Sequence, residues 1–440
     1  MWKEFDRFAL SEGGRVALNE HKGGVLVATK SQNCRCADGA LHGGLGVKYL
    51  QDIFDVTYSV PFNVQRVAFV NYYDERKGLM PLPLYLDGNG RVFLYSLDTL
   101  LFHRIYDGVS GILDICSDSV NFQTKDFFVV NEVGFFYLNE DGLVSQNLGA
   151  TNGSVCTFAD RVFYACEQGV RFSDVGNYSD FSDSVYGGGK INFFDGEGRV
   201  DKILPYENAI LVVKNTRLFL FHAVGAAHQF SVETLDYSGG KIVEKSAVRC
   251  GKYVLFVTEN GEVVRLHGKS CVKLIERLPE AFCSKEIKTA ADGERFFIAC
   301  GGSTLVVDAE NGSYYTSFSL EGMSTCNGTV VGAYDGYLCE FAADGKFPYG
   351  QSASFSVQGW LAEDESEKQL EKVRLFGQGS LTLSLSNGRA SVQKSVELDP
   401  LGIEIELELR GRAFELSVAL QPKTCLRKIA VQFHKGGSAV

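Results

Sequence analysis

Short apolar runs separated by glycine, asparagine or aspartate recur from about residue 60 to residue 345. Glycine and asparagine accept the positive φ that tight two-residue turns require, so a pair of such runs is typical of a β-hairpin. The pattern predicts antiparallel strands in seven segments: PLYLDGNGRVFLYSL, FFVVNEVGFFYLNEDGLVSQNL, RVFYACEQGVRFS, AILVVKNTRLFLFH, YVLFVTENGEVVRLHG, FFIACGGSTLVVDAENGSYYTS and TVVGAYDGYLCEFAADGK.

The hairpin segments return at intervals of about forty residues, a spacing typical of radial repeats. A four-stranded sheet cannot bury both faces alone, whereas sheets packed around an axis share a continuous core. We therefore predict an all-β chain with a β-propeller over residues 61–350, with seven blades preferred and six possible. Residues 1–60 are predicted to be an extended segment, in which the run at 15–30 donates a strand that closes the propeller.

The pattern changes near residue 350. The following runs, such as GSLTLSLSNG and IEIELELRG, alternate strictly between apolar and polar residues. Strands with one wet face fit an antiparallel sandwich, so residues 351–440 are predicted to form a C-terminal β-sandwich of roughly six to eight strands. A helical period occurs only in EDESEKQLEKV, at 363–373.

Composition and charge narrow the classes of function. The chain has 440 residues, of which 12% are aromatic, and 43 basic residues against 54 acidic ones. Because both signs are dispersed, no electrostatic footprint for binding a nucleic-acid backbone is present. No apolar run approaches the roughly 18 residues of a membrane span, and the N-terminal residues lack the apolar core of a secretion signal. We expect a soluble, cytoplasmic product.

Candidate catalytic and metal-binding patterns are weak. The cysteines lie mostly in apolar strand-like runs, which indicates reduced core residues, and the pair Cys34 and Cys36 lacks the spacing of a zinc site. Acidic turns such as DGNG (87–90) lack the further carboxylates of a calcium loop. We assign no catalytic, cofactor-binding or metal-binding residue and expect no cofactor. The histidines are scattered without a ligand spacing: His21, His42, His103, His222, His228, His267 and His434.

Two other functions remain open. A glycan- or receptor-binding propeller would present exposed aromatic side chains, and the chain has tyrosines but only Trp2 and Trp360. A propeller glycoside hydrolase would need two carboxylates facing each other across the axial mouth. Asp174 and Asp180 lie in one loop, but FSDVGNYSDF does not have the order of a sialidase aspartate box.

The segment RVFYACEQGVRFSDVGNYSDFS (161–182) resembles a blade of a broad class of tailed-bacteriophage structural proteins. In that class an RLF strand, a hairpin and a strand ending in serine precede a loop of the form Gly-Asp/Asn-x-x-x-Phe. The resemblance implies a joint between blades, in which Phe163, Phe172, Tyr178 and Phe181 fill the wedge between sheets. The matching positions are Arg161, Val162, Phe163, Arg171, Phe172, Ser173, Gly176, Asn177, Tyr178 and Phe181.

Two further segments carry the resemblance. NCRCADGALHGGLGVKYL resembles an early stretch of these proteins through Asn33, Gly39, Leu41 and Gly46. GWLAEDESEKQLEKVRLFG resembles a strand of their C-terminal sandwich, which ends in a lysine-bearing phrase. LRGRAFELSVAL resembles another strand of that sandwich through Arg410, Gly411 and Phe414.

The resemblance to head-tail connector, DNA-stabilisation and tail propeller proteins implies a virion or prophage structural role without catalysis. The protein would work through protein-protein contacts at the head-tail junction or tail. Its implied partners are other phage structural proteins, or itself in a homo-oligomer, with no sequence-specific nucleic acid and no membrane. Assembly would take place in the bacterial host cytoplasm, before incorporation into the virion.

Overall fold

The computed structural model consists of strands. Its described residues are 2–9, 25–37, 39–61, 63–74, 78–107, 114–120, 123–130, 134–139, 142–146, 151–183, 187–194, 198–284, 286–348, 352–361, 366–421 and 423–435. In these ranges there is no α-helix, and two 3-10 turns cover Ala227–Gln229 and Glu280–Phe282. The all-β prediction is therefore confirmed.

The chain forms two compact units. The terminal unit comprises Met1–Lys48, Gly302–Phe318 and Phe341–Val440, and the propeller unit comprises Tyr49–Gly301 and Ser319–Glu340. Each unit collects segments that are distant in the sequence. The predicted boundaries near residues 60 and 350 and the predicted C-terminal β-sandwich stay predictions.

The N-terminal strands pair mainly with one another and with the C-terminal region. Of the proposed donor run 15–30, residues 15–24 lie outside the described residues, and Val25–Val27 pairs in parallel with Arg7–Ala9. Closure of the propeller by this run therefore stays a prediction. The strands are β1 (Trp2–Phe5), β2 (Arg7–Ala9), β3 (Val25–Val27), β4 (Lys30–Gln32), β5 (Cys34–Ala37), β6 (Ala40–Gly43) and β7 (Gly46–Tyr49).

Five four-stranded antiparallel sheets follow one another in the propeller unit, each built from consecutive strands. They are blade one with β8 (Val64–Asp74), β9 (Gly78–Asp87), β10 (Val92–Ser96) and β11 (Leu101–Tyr106); blade two with β12 (Asp114–Val120), β13 (Gln123–Val130), β14 (Gly134–Asn139) and β15 (Gly142–Gln146); blade three with β16 (Val155–Phe158), β17 (Arg161–Cys166), β18 (Gly169–Phe172) and β19 (Gly189–Asn192); blade four with β20 (Val200–Tyr206), β21 (Ala209–Lys214), β22 (Leu218–His222) and β23 (Ser231–Thr234); and blade five with β24 (Val248–Cys250), β25 (Tyr253–Val257), β26 (Val263–His267) and β27 (Ser270–Ile275).

The next strands divide between the two units. Within the propeller unit, β28 pairs with β29, and β33 pairs with both β32 and β34. Within the terminal unit, β31 pairs with β30 and with β4. The bounds are β28 (Lys288–Ala291), β29 (Arg295–Cys300), β30 (Ser303–Asp308), β31 (Tyr314–Phe318), β32 (Glu321–Cys326), β33 (Thr329–Tyr334) and β34 (Tyr337–Ala342).

The first strands of the sheets contact one another in a circle. Around the propeller unit, β8, β12, β16, β20, β24, β28 and β32 touch in that order, and β32 touches β8. This is the inner wall of a β-propeller. The prediction of seven blades, with six possible, is wrong, because the propeller unit contains five complete four-stranded blades. The sets β28–β29 and β32–β34 contribute only two and three strands to this unit. A hairpin pattern in the sequence cannot show which sheet a strand joins, and therefore does not fix the number of blades.

The C-terminal strands are organised around one long strand, β36, which pairs with β37, β38, β39 and β40. The alternation of buried and exposed residues confirms the predicted period of two in this region. The helical expectation for 363–373 is wrong from residue 368 on, because Leu370, Val373 and Leu375 are buried along an extended strand. The strands are β35 (Ala353–Trp360), β36 (Lys368–Ser386), β37 (Ser391–Leu398), β38 (Ile403–Gly411), β39 (Phe414–Leu420) and β40 (Cys425–Lys435).

Backbone geometry explains the N-terminal motif of the terminal unit. Asn33 is buried with φ of 51°, and Gly39 turns between β5 and β6 with φ of 75°. A Cβ on Gly46 would lie 2.4 Å from the carbonyl carbon of Gly345, so a side chain there would force the two backbones apart. These positions therefore carry turns and a close strand crossing.

Candidate functional site

The segment 161–182 is a packed joint on both faces of blade three. Phe163 and Phe172 are buried in one cluster with residues of blade four. The ring of Phe163 meets that of Phe221 edge-on at 5.9 Å, and Phe172 meets Phe230 at 5.1 Å. The predicted packing role of these two phenylalanines is confirmed.

The opposite face buries the other two predicted rings. Tyr178 and Phe181 pack with Tyr164, and the Phe181 ring lies 5.4 Å from the Tyr164 ring. Cys116 of blade two packs against the same cluster. Blade three is thus joined to both of its neighbours by aromatic side chains, as predicted.

A buried arginine ties the loop of the joint to its strands. Arg161 donates from Nη1 to the carbonyl oxygens of Ser173 at 2.6 Å and Gly187 at 2.8 Å. Its guanidinium also lies over the rings of Phe172 and Phe230. An open depression of about 400 Å³ adjoins this joint, but its lining carries only Asp160 and Arg161 as charged residues. Arg161 therefore holds the loop of the joint to its strands.

Polar groups link neighbouring first strands at the inner wall. Thr289 on β28 donates from Oγ1 to the Ser246 carbonyl oxygen at 3.1 Å, and Ala291 donates to Thr325 Oγ1 at 2.8 Å. Ser154 donates from Oγ to the carbonyl oxygen of Ile203 at 3.3 Å. We call the polar residues at or just before the starts of these strands the axial belt; its members are Arg66, Asp114, Ser154, Lys202, Lys245, Lys288 and Glu321.

The acidic members of the axial belt are engaged in contacts between blades. The Lys202 ammonium donates to Asp114 Oδ2 at 2.7 Å, reaching from blade four to blade two. Burial acts to raise the pKa of Asp114, but the charges of Lys202 and Arg66 outweigh it and leave that pKa lowered. Glu321 accepts from the backbone N–H groups of Asn63 and Val64. Asp114 and Glu321 therefore connect strands of different blades.

The cysteines behave mainly as small core residues. All twelve are free thiols. Seven of them lie in the apolar strand-like runs: Cys116 and Cys300 are half-buried, and Cys156, Cys166, Cys250, Cys326 and Cys339 are buried. Burial raises the pKa of Cys36 to about 12, and Cys34 donates to the Ser354 carbonyl oxygen at 3.1 Å. Among the described residues, no group of three or more histidine, cysteine or acidic side chains could hold a metal ion.

A loop that follows β7 is held rigidly against blade one. Asp52 is buried, and its Oδ1 accepts from the backbone N–H groups of Phe54 at 2.8 Å and Val56 at 2.9 Å. Tyr95 of blade one donates its hydroxyl to Asp52 Oδ2 at 2.8 Å. We call residues 51–57 the docking loop. Its backbone is closed by a bridge between Gln51 and Thr57.

The docking loop presents apolar side chains to solvent. Ile53, Phe54 and Val56 are between 37% and 52% exposed, and the neighbouring Tyr49 and Tyr337 are similarly exposed. The two tyrosine rings pack edge-on at 5.7 Å. Sequence reasoning missed this site, although the apolar triplet inside the acidic turn QDIFDV was visible.

Comparison with known proteins assigns the chain to no family. No family model matches the chain, and no curated protein matches it. The crystal structure of Chaetomium thermophilum Raptor is similar over 66% of this chain, with 14% identity and a TM-score of 0.47. The similar part is 29% of the Raptor chain. No helix in the described parts is long and apolar enough to cross a membrane.

Proposed function

We propose that this protein is a non-enzymatic structural component of a tailed-phage or prophage particle, and that the docking loop binds another protein of the particle. The motifs at 33–46, 161–181 and 410–414 support the phage assignment by resemblance. The protein assembles in the bacterial host cytoplasm and is then retained in the virion, at the head-tail junction or tail.

The docking role rests on one observation: exposed apolar side chains lie on a loop that hydrogen bonds hold in place. Exposed apolar side chains that adjoin one another are typical of protein-protein contact sites. Because Asp52 and Tyr95 already fix the loop, little conformational entropy is lost when a partner covers Phe54. A propeller with such a loop suits a scaffold that holds partners by shape and burial.

Incorporation into particles tests this proposal. A tagged chain is expressed in an induced lysogen that lacks its own copy, and purified particles are analysed by mass spectrometry. We expect the wild-type chain in the particles and a much smaller amount of the Phe54→Ser variant. Phe194→Ser, which alters another exposed phenylalanine of the propeller unit, is the matched control.

Two results would contradict the proposal. If the gene has no portal, terminase or tail genes beside it and no particle contains the chain, the phage assignment is wrong. If Phe54→Ser enters particles as well as Phe194→Ser does, the docking loop is not the contact.

A further inference from the structure

Two exposed tyrosines adjoin the docking loop on one hydrogen-bonded backbone. Leu50 and Tyr58, which flank the loop, both bond to Leu338: the Leu50 N–H donates to the Leu338 carbonyl oxygen at 2.9 Å, and the Leu338 N–H donates to the Tyr58 carbonyl oxygen at 2.9 Å. Tyr49 and Tyr337 are the residues immediately before Leu50 and Leu338, and their rings lie 5.7 Å apart. The loop and the two rings are therefore held on one framework.

Exposed carboxylates accompany these apolar and aromatic side chains. Asp55 lies within the docking loop, and Asp335 occupies the turn before Tyr337; both are exposed. Partial burial and then the charge of Asp335 raise the pKa of Tyr49. The Asp335 carboxylate is therefore close enough to the tyrosine pair to act on its charge.

The two carboxylates are open to a partner's positive charge. Among the ion pairs of the described residues, none includes Asp55 or Asp335. Lys48, the basic residue that precedes Tyr49, is paired with Asp344 at 3.5 Å. The surface therefore combines apolar area with acceptors for a cation.

We propose that the docking loop binds a basic segment of its partner protein, in which arginine or lysine lies beside apolar residues; this inference rests on the proposed docking role. The apolar residues would cover Phe54, and the basic side chain would lie over the rings of Tyr49 and Tyr337, within reach of Asp335. The face of a tyrosine ring and a carboxylate both attract a guanidinium or an ammonium. Burial supplies affinity, and the complementary charge fixes the register of the partner.

Selection from a displayed library of random short peptides tests this chemistry, with the full chain as the target and Phe54→Ser as the counter-target. We expect peptides that bind only the wild type and carry arginine or lysine beside apolar residues. Peptides that depend on Phe54 but are acidic or uncharged would overturn this inference and leave the docking role standing. If no peptide depends on Phe54, both the inference and the docking role are wrong.

Calorimetric titration with one selected peptide then measures the charged contact. Asp335→Asn and Tyr337→Leu should each weaken binding by about threefold to fivefold, because an exposed ion pair or a cation–π contact is lost. The loss in Asp335→Asn should shrink at high salt. Asp236→Asn, the same change at an exposed position after β23, is the control and should bind as the wild type does.

Charge reversal separates a lost contact from a lost fold. Asp335→Lys should bind the selected peptide about tenfold more weakly, and should bind a peptide with glutamate in place of the basic residue better than the wild type does. Circular dichroism should show the same strand content in every variant. Equal affinities of wild type, Asp335→Asn and Asp335→Lys would overturn the proposal. Binding to a glycan array that depends on Tyr337, with no peptide selected, would also overturn it.

Discussion

The joint at 161–182 and the docking loop at 51–57 use similar residues for opposite purposes. Both contain an aspartate-rich turn with aromatic or aliphatic side chains, and both are fixed by side-chain hydrogen bonds to the backbone. In the joint, Phe181 is buried between sheets, whereas Phe54 in the docking loop faces solvent. Composition alone therefore does not distinguish a packing loop from a contact loop; the neighbouring sheet does.

The largest effect on stability should come from removing a buried ring from the joint at 161–182. Phe163→Ala removes a fully buried ring that packs against Phe221, and we expect a loss of about 3–5 kcal/mol in the free energy of unfolding. Urea denaturation followed by circular dichroism measures it. A loss below about 1 kcal/mol would show that the blades do not depend on this joint.

The docking loop should give a binding effect without a stability effect. Phe54→Ser should weaken partner binding by about 2 kcal/mol, or roughly thirtyfold, because a central aromatic contact is lost. Its unfolding free energy should stay within about 0.5 kcal/mol of the wild type, since the ring is already half exposed. Titration calorimetry with the partner and urea denaturation give the two values; marked destabilisation would place Phe54 in the core.

Loss of the hydrogen bond from Tyr95 to Asp52, which holds the docking loop, should have an intermediate effect. Tyr95→Phe removes the hydroxyl that donates to Asp52 and should cost about 1.5 kcal/mol of stability. Hydrogen exchange should become faster at the backbone N–H groups of Phe54 and Val56. Unchanged exchange there would mean that the loop is held without Tyr95.

The smallest effect should appear at the axial belt and depend on pH. Because the pKa of Lys288 is lowered on folding, the unfolded chain binds more protons between that pKa and the usual 10.5. Below this window the charged lysine destabilises the fold, and the penalty disappears as pH rises toward 10.5. Lys288→Gln should thus be slightly more stable than the wild type at pH 7, with the difference shrinking by pH 10. Denaturation at both pH values checks the sign, and an unchanged difference would contradict it.

Local pattern predicted much of the fold but little of the site. The hairpin segments became strands because turn residues and alternation act over short distances, and the aromatic joint at Phe163 and Phe181 followed from one motif. The strand at Lys368–Ser386 was misread in part because its charged residues happen to repeat with a helical spacing. The axial belt depends on partners such as Asp114 and Lys202, 88 positions apart, which no local pattern reveals.

Hydrogen exchange of the purified chain, alone and bound to a neighbouring particle protein, tests the central claim most directly, because it compares both loops in one experiment. The account predicts slower exchange in the docking loop on binding and unchanged exchange at 161–182, which is already buried. Slower exchange at 161–182 with no change at 51–57 would contradict it.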